Sequence, residues 1–291
     1  MSELLKNKTA LITGASRGLG ASIARCLWND GADLILVARS TEKLSALRNE
    51  LLASAKLQQS IEIIAVDLAN PDAVTNFIVQ LEVKKIDILV NNAGILGPVG
   101  PTWENNWQDW LTTMQINLLT PVALCRALVA KMVKQNYGKI INLSGGGATA
   151  PRANFSAYSV AKSGLVRFSE TLADEVKSFS IAVNCIAPGM MNTDMLTEFF
   201  AAGIEKIGAK DHNQIQKVKA TSNDSTLLNA AKLCAFLASS ASDGITGKLI
   251  SAVWDPWAKL PDYLTELSNS DIYTLRRIVP KDRGKEWGEV T

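Results

Sequence analysis

The chain has 291 residues, 47% of them hydrophobic and 20% charged, with a formal net charge of +2. Domains usually run about 100–200 residues and one α/β domain can reach roughly 250, so the length admits one large domain with an appendage, or two small ones. The hydrophobic content excludes a disordered chain, ordinary glycine and proline usage excludes fibrous and low-complexity classes, and near-neutral charge gives no electrostatic reason to expect a nucleic-acid or membrane partner.

No apolar run approaches the ~20 residues that span a bilayer. Residues Met1 to Lys6 carry no apolar segment followed by small residues, so no signal peptide is expected. The four cysteines, Cys26, Cys125, Cys185 and Cys234, form no CxxC pair. They read as buried free thiols in a reducing compartment, which points to the cytoplasm.

In chain order, Lys8–Thr13 reads as a buried strand, followed by a glycine loop and a helix over Leu19–Asn29. Asp33–Ala38 is the second strand, and Thr41–Leu57 a helix with Thr41 as its N-cap. Ile61–Val66 is the third strand. Pro71 opens a helix to Leu81, at the position proline prefers. Ile86–Val90 is the fourth strand and Trp107–Gln135 a long helix. Lys139–Leu143 is the fifth strand, Asn154–Ser178 another long helix, and Ile181–Ile186 the sixth strand. A helix over Thr226–Ser239 and a seventh strand over Lys248–Ala252 complete the series. Strands apolar on both faces and separated by helices mean a parallel sheet covered on both sides. The fold class expected is therefore α/β, a Rossmann-type doubly wound parallel sheet of seven strands in a single domain.

Residues 1–252 are expected to form that domain and residues 253–291 a C-terminal extension. The extension holds five aromatics: Trp254, Trp257, Tyr263, Tyr273 and Trp287. Aromatics bury large areas, so an ordered extension packed near the substrate cleft is expected, on its own body or a neighbouring subunit. Pro261 suits the start of a helix through Leu267, and a second helix is expected over Asp271–Ile278, before Pro280.

The chemistry gathers at the carboxyl ends of the strands, where open α/β sheets bind ligands. Gly14-Ala15-Ser16-Arg17-Gly18-Leu19-Gly20 joins the first strand to the first helix. Glycines there allow a tight turn and close approach of backbone to a pyrophosphate seated on the helix N-terminus. The spacing is neither GxGxxG nor that of a P-loop. Asn92-Ala93-Gly94 follows the fourth strand, Ser144 the fifth, and Pro188-Gly189 the sixth, with Thr193 shortly after. Tyr158 and Lys162 stand four apart on one helix and share a face. A phenol has a pKa of about 10, too high for a base at neutral pH. A neighbouring ammonium lowers it, so the two form a plausible proton-transfer pair. Ser144 could hydrogen-bond and orient a carbonyl oxygen.

These motifs, in this order over residues 5–252, resemble the classical short-chain dehydrogenase/reductase family. The resemblance implies an NADP(H)-dependent oxidoreductase that interconverts a carbonyl and a secondary alcohol. Tyr158 would be its general acid and base, Lys162 would depress that pKa and hold the nicotinamide ribose, and Ser144 would polarise the carbonyl. Asn117 matches the family's fourth catalytic position, which holds a water in the proton relay. Cofactor contacts would come from Gly14, Ser16, Arg17, Gly18, Leu19, Gly20, Arg39, Ser40, Asp67, Leu68, Asn92, Ala93, Gly94, Tyr158, Lys162, Pro188, Gly189 and Thr193. Asp67 would reach the adenine amino group, or else cap the following helix; Asn92 would rather brace its strand. No metal is implied.

An NAD-preferring site carries an acid at the end of the second strand. Here the stretch reads Val37-Ala38-Arg39-Ser40. An arginine can chelate a 2′-phosphate, and Arg17 adds a second cation, so NADP(H) is the expected cofactor. The glycine run Gly145–Gly147 suggests a wider or more mobile wall beside a small-molecule substrate. Met190–Asp224 is the expected substrate region, with His212 as a solvated lid residue. Trp107 and Trp110 read as core packing or a ring platform. The family pairs subunits through its two long helices, so a homodimer or homotetramer is expected, with Leu118, Leu119, Val122 and Leu165 on the contact face. The alternatives are a nucleotide-sugar epimerase or dehydratase, whose glycine spacing differs, and a cofactor-binding regulator without catalysis.

Overall fold

A computed structural model describes residues 4–55, 58–220 and 225–287. Seven parallel strands form one sheet: β1 (Thr9–Thr13), β2 (Asp33–Ala38), β3 (Ile61–Ala65), β4 (Ile88–Asn91), β5 (Gly138–Leu143), β6 (Ile181–Ala187) and β7 (Leu249–Ser251). Their order is β3-β2-β1-β4-β5-β6-β7. Between them run α1 (Gly18–Asn29), α2 (Thr41–Ala53), α3 (Pro71–Leu81), α4 (Trp107–Met114), α5 (Thr120–Gln135), α6 (Ser156–Glu175), α7 (Asp194–Ala201), α8 (Ile204–Ile207), α9 (Ala209–Ala220) and α10 (Ser225–Ala238), and α11 (Leu264–Ser268) follows β7. This is the doubly wound fold expected from alternating strand and helix patterns.

Successive residues of a strand point to opposite faces, and both faces are filled. Ala10 and Ile12 of β1 join Leu34 and Leu36 of β2 in a core with α1, α2 and α10. Leu11, Ile35 and Val37 face the other way, onto α3, α5 and α6. The order reverses between β1 and β4, so the loops after these strands diverge and open a crevice at their carboxyl ends. A buried amide row crosses beneath it. Asn91 Nδ2 donates to Asn142 Oδ1 at 2.8 Å and Asn142 Nδ2 to Ser169 Oγ at 2.8 Å. Three thiols lie in the same interior: burial pushes Cys125 and Cys185 up to about 12 and raises Cys234 as well, while Cys26 is only half-buried.

Several boundaries differ from those read in the sequence. The N-cap of α2 is Ser40, whose Oγ accepts from the Lys43 amide at 3.2 Å, and the helix ends at Ala53 rather than Leu57, which lies outside the described residues. α6 is shorter than Asn154–Ser178, because Asn154 has φ of +68°. The long Trp107–Gln135 helix is interrupted by a π turn over Gln115–Leu119. By length and composition that 29-residue run could cross a membrane. Here Leu124, Leu128 and Met132 of α5 bury against the sheet. Leu165 is fully buried within its own chain and offers nothing to a partner, whereas Leu119 is exposed.

The extension after β7 winds through a 3-10 stretch over Trp257–Tyr263 and then α11. Leu260 and Leu267 are buried against the α10 side of the core, and Trp257 packs on Phe236 with ring centroids 5.5 Å apart. Three of its aromatics stay exposed, Trp254 at 83%, Tyr263 at 53% and Trp287 at 74%. Aliphatic side chains therefore supply more of the docking than the aromatic count suggested. The helix expected over Asp271–Ile278 does not form. Tyr273 has φ of +61°, and the carbonyls that would close helical turns go elsewhere. Those of Ser270 and Ile272 accept from Lys248 Nζ at 3.1 and 2.9 Å, that of Tyr273 from the Leu249 amide at 2.8 Å, and that of Leu275 from Arg167. Leu275, like Leu249, packs against the cluster of Ala148, Val166 and Cys185.

Deleting residues 258–291 should lower the melting temperature. Two leucines buried at about 1.5–3 kcal/mol each and about 2–4 °C per kcal/mol give a fall on the order of 10 °C. Because Leu275 packs against the cluster that holds Ala148, the kinetics should change too. A calorimetric scan with unchanged Tm, together with unchanged kinetics, would show the extension to be dispensable.

Candidate active site

The glycine loop after β1 folds as it does because side chains are excluded from it. Gly14 and Gly18 take φ of +66° and +53°, a region only glycine enters without cost. A methyl group at Gly20 would stand 2.2 Å from the Gly14 carbonyl oxygen and 2.6 Å from Asn92 Nδ2. Asn92 is the brace of this loop: its Nδ2 donates to the carbonyls of Thr13 and Gly14 at 2.9 and 3.2 Å. The Thr13 hydroxyl accepts from the amides of Asn92 and Ala93, both at 3.1 Å, and so ties β1 to β4 across the crevice. Ser16 is half-buried and Leu19 buried. The first turn of α1 thus presents its free amides to the crevice.

Other residues border the same crevice. Pro188 and Gly189 follow β6, with Gly189 at φ of +86°. Thr193 stands at the N-cap position of α7 without a side-chain capping bond and lies over Gly18, where an added Cβ would meet its Cγ2 at 3.4 Å. Arg17 is drawn into an ion pair with Asp194 at the start of α7. Arg39 is exposed just past the end of β2, and Ser40 is occupied in capping α2. Asp67 is exposed after β3 and does not cap α3, a role taken by Asn70. Its Oδ1 accepts from the Ala69 amide at 3.1 Å. The Leu68 carbonyl accepts from Thr120 Oγ1 at 3.0 Å.

Four polar side chains converge from three elements. Asn117 sits in the π turn, fully buried; its Oδ1 accepts from the Ile95 amide at 2.9 Å and its Nδ2 donates to the Ile95 carbonyl at 2.8 Å. An added Cβ at Gly94 would stand 3.2 Å from Asn117 Oδ1 and 3.6 Å from Lys162 Nζ, so Gly94 keeps this junction open. Lys162 Nζ donates to the Leu143 carbonyl at 2.7 Å, at the end of β5. Ser144 follows, its amide bonded to the Ile186 carbonyl at 2.8 Å. Its Oγ is buried without a partner among the described residues. The Tyr158 hydroxyl lies against Gly145, where a Cβ would meet it at 2.3 Å.

Burial dominates the electrostatics. It pushes Tyr158 up to about 12, partly countered by the Arg152 charge, and draws Lys162 down to about 8. The charge that lowers Tyr158 in this arrangement is that of Arg152. Lys162 Nζ is 5.8 Å from the Tyr158 ring centre.

An apolar lid closes the site. Tyr158, Leu96 and Phe155 pack with Leu196 and Phe199 of α7, Ile207 of α8 and Ile215 of α9. This accounts for most of the expected substrate region; its last residues, 221–224, lie outside the described residues. His212 is stacked on Phe200, ring centroids 4.9 Å apart, rather than solvated. Trp107 stacks on Trp110 at 5.1 Å but is itself exposed, and Trp110 Nε1 donates to Ser156 Oγ at 3.3 Å.

Sequence reasoning missed the roles of Thr13 and Arg152 and misread that of Gly145. The glycine run does not make a loose wall: Gly145 packs on the Tyr158 hydroxyl, and a Cβ at Gly147 would meet Ser159 Oγ at 2.4 Å. Tight contact with a motif side chain was the signal available, and only three-dimensional proximity carries it. The side-chain-free cradle of Gly14, Gly18 and Gly20, and the orphaned Ser144 hydroxyl, fit a dinucleotide with a carbonyl compound beside it. Among the described residues no cluster suited to a metal ion occurs.

A family model described as short chain dehydrogenase matches residues 8–203. The chain is 33% identical over 255 residues to a 3-oxoacyl acyl-carrier-protein reductase of Chlamydia trachomatis, covering 86% of this chain and 98% of that protein. It is 32% identical over 248 residues to nodulation protein G of a Rhizobium species, covering 84% and 95%. Among solved structures, a short chain dehydrogenase of Shigella flexneri complexed with NADP superposes with a TM-score of 0.73 at 29% identity, covering 87% of this chain and 99% of that one. The chain belongs to the short chain dehydrogenase family and is an oxidoreductase.

Proposed function

We propose that the protein reduces a carbonyl compound to a secondary alcohol with NADPH, and reverses the reaction with NADP, using Tyr158 as general acid and base. One observation carries this reading: the buried, unpartnered Ser144 hydroxyl and the Tyr158 hydroxyl border the same wall residue, Gly145. The bound nicotinamide supplies or accepts the hydride. Ser144 Oγ donates to the carbonyl oxygen and orients it. Tyr158, kept protonated at neutral pH by its burial, gives its Oη proton to the oxygen as charge develops there. Lys162 holds its ammonium between the Leu143 carbonyl and the Gly94 junction, where a cofactor ribose would lie. Asn117 keeps the Ile95 segment fixed around that junction. The lid excludes water, which strengthens each of these polar contacts. A nucleotide-sugar epimerase is not favoured, because its glycine spacing differs from that of Gly14, Gly18 and Gly20, and a non-catalytic regulator is not favoured, because Tyr158 and Lys162 both stand in the cleft.

The cofactor would lie along the Gly14 to Gly20 loop, Ala93, Gly94, Pro188, Gly189 and Thr193, with Asp67 and Leu68 toward the adenine. The exposed Arg39 guanidinium, with Arg17 released from Asp194, would hold the 2′-phosphate. The NADP bound by the Shigella flexneri relative agrees with this choice. Following loss of the reduced-nicotinamide absorbance with a panel of neutral ketones and aldehydes tests the activity. Arg39→Asp should weaken NADPH and improve NADH, because a charge-assisted pair becomes a repulsion. A wild-type preference for NADH in parallel titrations would overturn the assignment.

On this reading residues 1–252 are the catalytic body and residues 253–291 an extension that supports the wall carrying Ser144. A cytoplasmic location accords with it. The exposed Leu111, Leu119 and Val160 on the α4, α5 and α6 side suit a two-fold contact with a second copy. Light scattering at micromolar concentration should give at least twice the chain mass of 31.4 kDa; a single-chain mass would count against it.

A further inference from the structure

One cation at the cleft is not used by the chemistry above. Arg152 stands between the glycine wall and the lid. Its guanidinium carbon is 4.5 Å from the ring centres of both Phe155 and Phe199, so both rings hold the cation in place. Phe155 and Phe199 pack edge to face and belong to the cluster that contains Tyr158. Arg152 Nη2 donates to Asp211 Oδ2 of α9 at 2.5 Å. Nη1 points at the wall, where a Cβ on Gly146 would lie 3.4 Å from it. Gly146 is two residues beyond Ser144. The guanidinium is only about a quarter exposed, with its side chain at 23%.

A guanidinium placed only to bridge two elements has no need of two aromatic clamps and a glycine wall. These features instead shape a slot for a planar anion. Asp211 shows what the slot accepts: a carboxylate, delivered by a helix of the lid. We propose that Arg152 recognises a carboxylate carried by the substrate, with Asp211 as its stand-in, so that keto acids are the preferred carbonyl compounds. This rests on the activity proposed above and adds the substrate class. The carbonyl would lie at Ser144 and Tyr158, and the carboxylate further along the same wall, at Arg152 Nη1. Asp211 would be displaced as the substrate enters, and the lid helix would re-seat on the complex.

The test compares kcat/KM for acetoacetate and levulinate with that for their methyl esters. The wild type should prefer each acid. Arg152→Gln should lower the acid-to-ester ratio about tenfold or more, the size of a lost charge-assisted hydrogen bond, and Arg152→Lys should retain part of the preference. Asp211→Asn should raise the ratio, because the competing carboxylate is gone; this variant keeps the test sound if Arg152→Gln folds poorly. Equal handling of acids and esters by the wild type, or of Arg152→Gln and wild type by the ratio, overturns the proposal. So does turnover of the neutral panel without turnover of either acid, an outcome that leaves the carbonyl-reductase reading intact. No turnover of any carbonyl compound overturns both.

Discussion

Tyr158→Phe should abolish turnover while NADPH binding stays nearly intact. The substitution removes one oxygen from a ring that is otherwise packed among Leu96, Phe155 and Phe199, so the lid and the wall keep their shape. What is lost is the proton that the developing alkoxide needs, and general acid–base catalysis contributes about 10²–10⁴-fold. Burial pushes the phenol up to about 12 and keeps it protonated at neutral pH, so its proton is what the substitution removes. Steady-state rates and fluorescence titration of NADPH, run on the same preparation, separate the two effects. Retention of more than about a tenth of the activity would remove Tyr158 from the reaction. Lys162→Ala should damage both quantities, since the ammonium borders the Gly94 junction and stands one turn along α6 from the proton donor.

Gly20→Ala is the second large effect, and it comes from backbone rather than chemistry. The new methyl would collide with the Gly14 carbonyl oxygen at 2.2 Å and with the Asn92 amide that holds that carbonyl. Neither is the free end of a flexible chain: one is backbone and the other is bonded twice. The loop must open or α1 must slide away from β1. Overpacking of this kind costs about 1–3 kcal/mol, and each 1.4 kcal/mol is about tenfold in an equilibrium constant. We expect a lower Tm and an NADPH Kd weakened about tenfold or more by the same distortion. Wild-type values for both would mean that the loop is looser than its contacts indicate.

The fold was legible because its strands are short, apolar on both faces and regularly separated by helices. Pro71 marked the start of α3 correctly, and the glycine loop, Asn92 to Gly94, Ser144 and Pro188-Gly189 each follow the carboxyl end of a strand. What stayed hidden depends on tertiary contacts. The π turn that aims Asn117 at Ile95 has no signature in hydrophobic periodicity, since its neighbours are apolar whichever way the turn is wound. Arg152 and Asp211 are 59 residues apart in the chain, and nothing local links them. The segment after Asp271 has helix-forming residues, yet Lys248 and the open edge of β7 take its carbonyls, and tertiary bonding overrides propensity. The exposed tryptophans of the extension were overvalued for a related reason: aromatic content measures how much area could be buried, not how much the body has room to receive.

The three deeply buried thiols give the molecule an internal clock for its own opening. A thiol reacts as the thiolate, and in the folded chain Cys125 and Cys185 hold their protons up to about 12 behind α5 and β6. An alkylating reagent at neutral pH will therefore modify Cys26 first. The other three will follow only at the rate at which the sheet is laid open. Each sits in a different place: Cys125 on α5, Cys185 on β6 and Cys234 on α10. Equal labelling rates would describe a body that opens all at once. Faster labelling of Cys234 would mean that the helix beneath the C-terminal extension comes away before the sheet does.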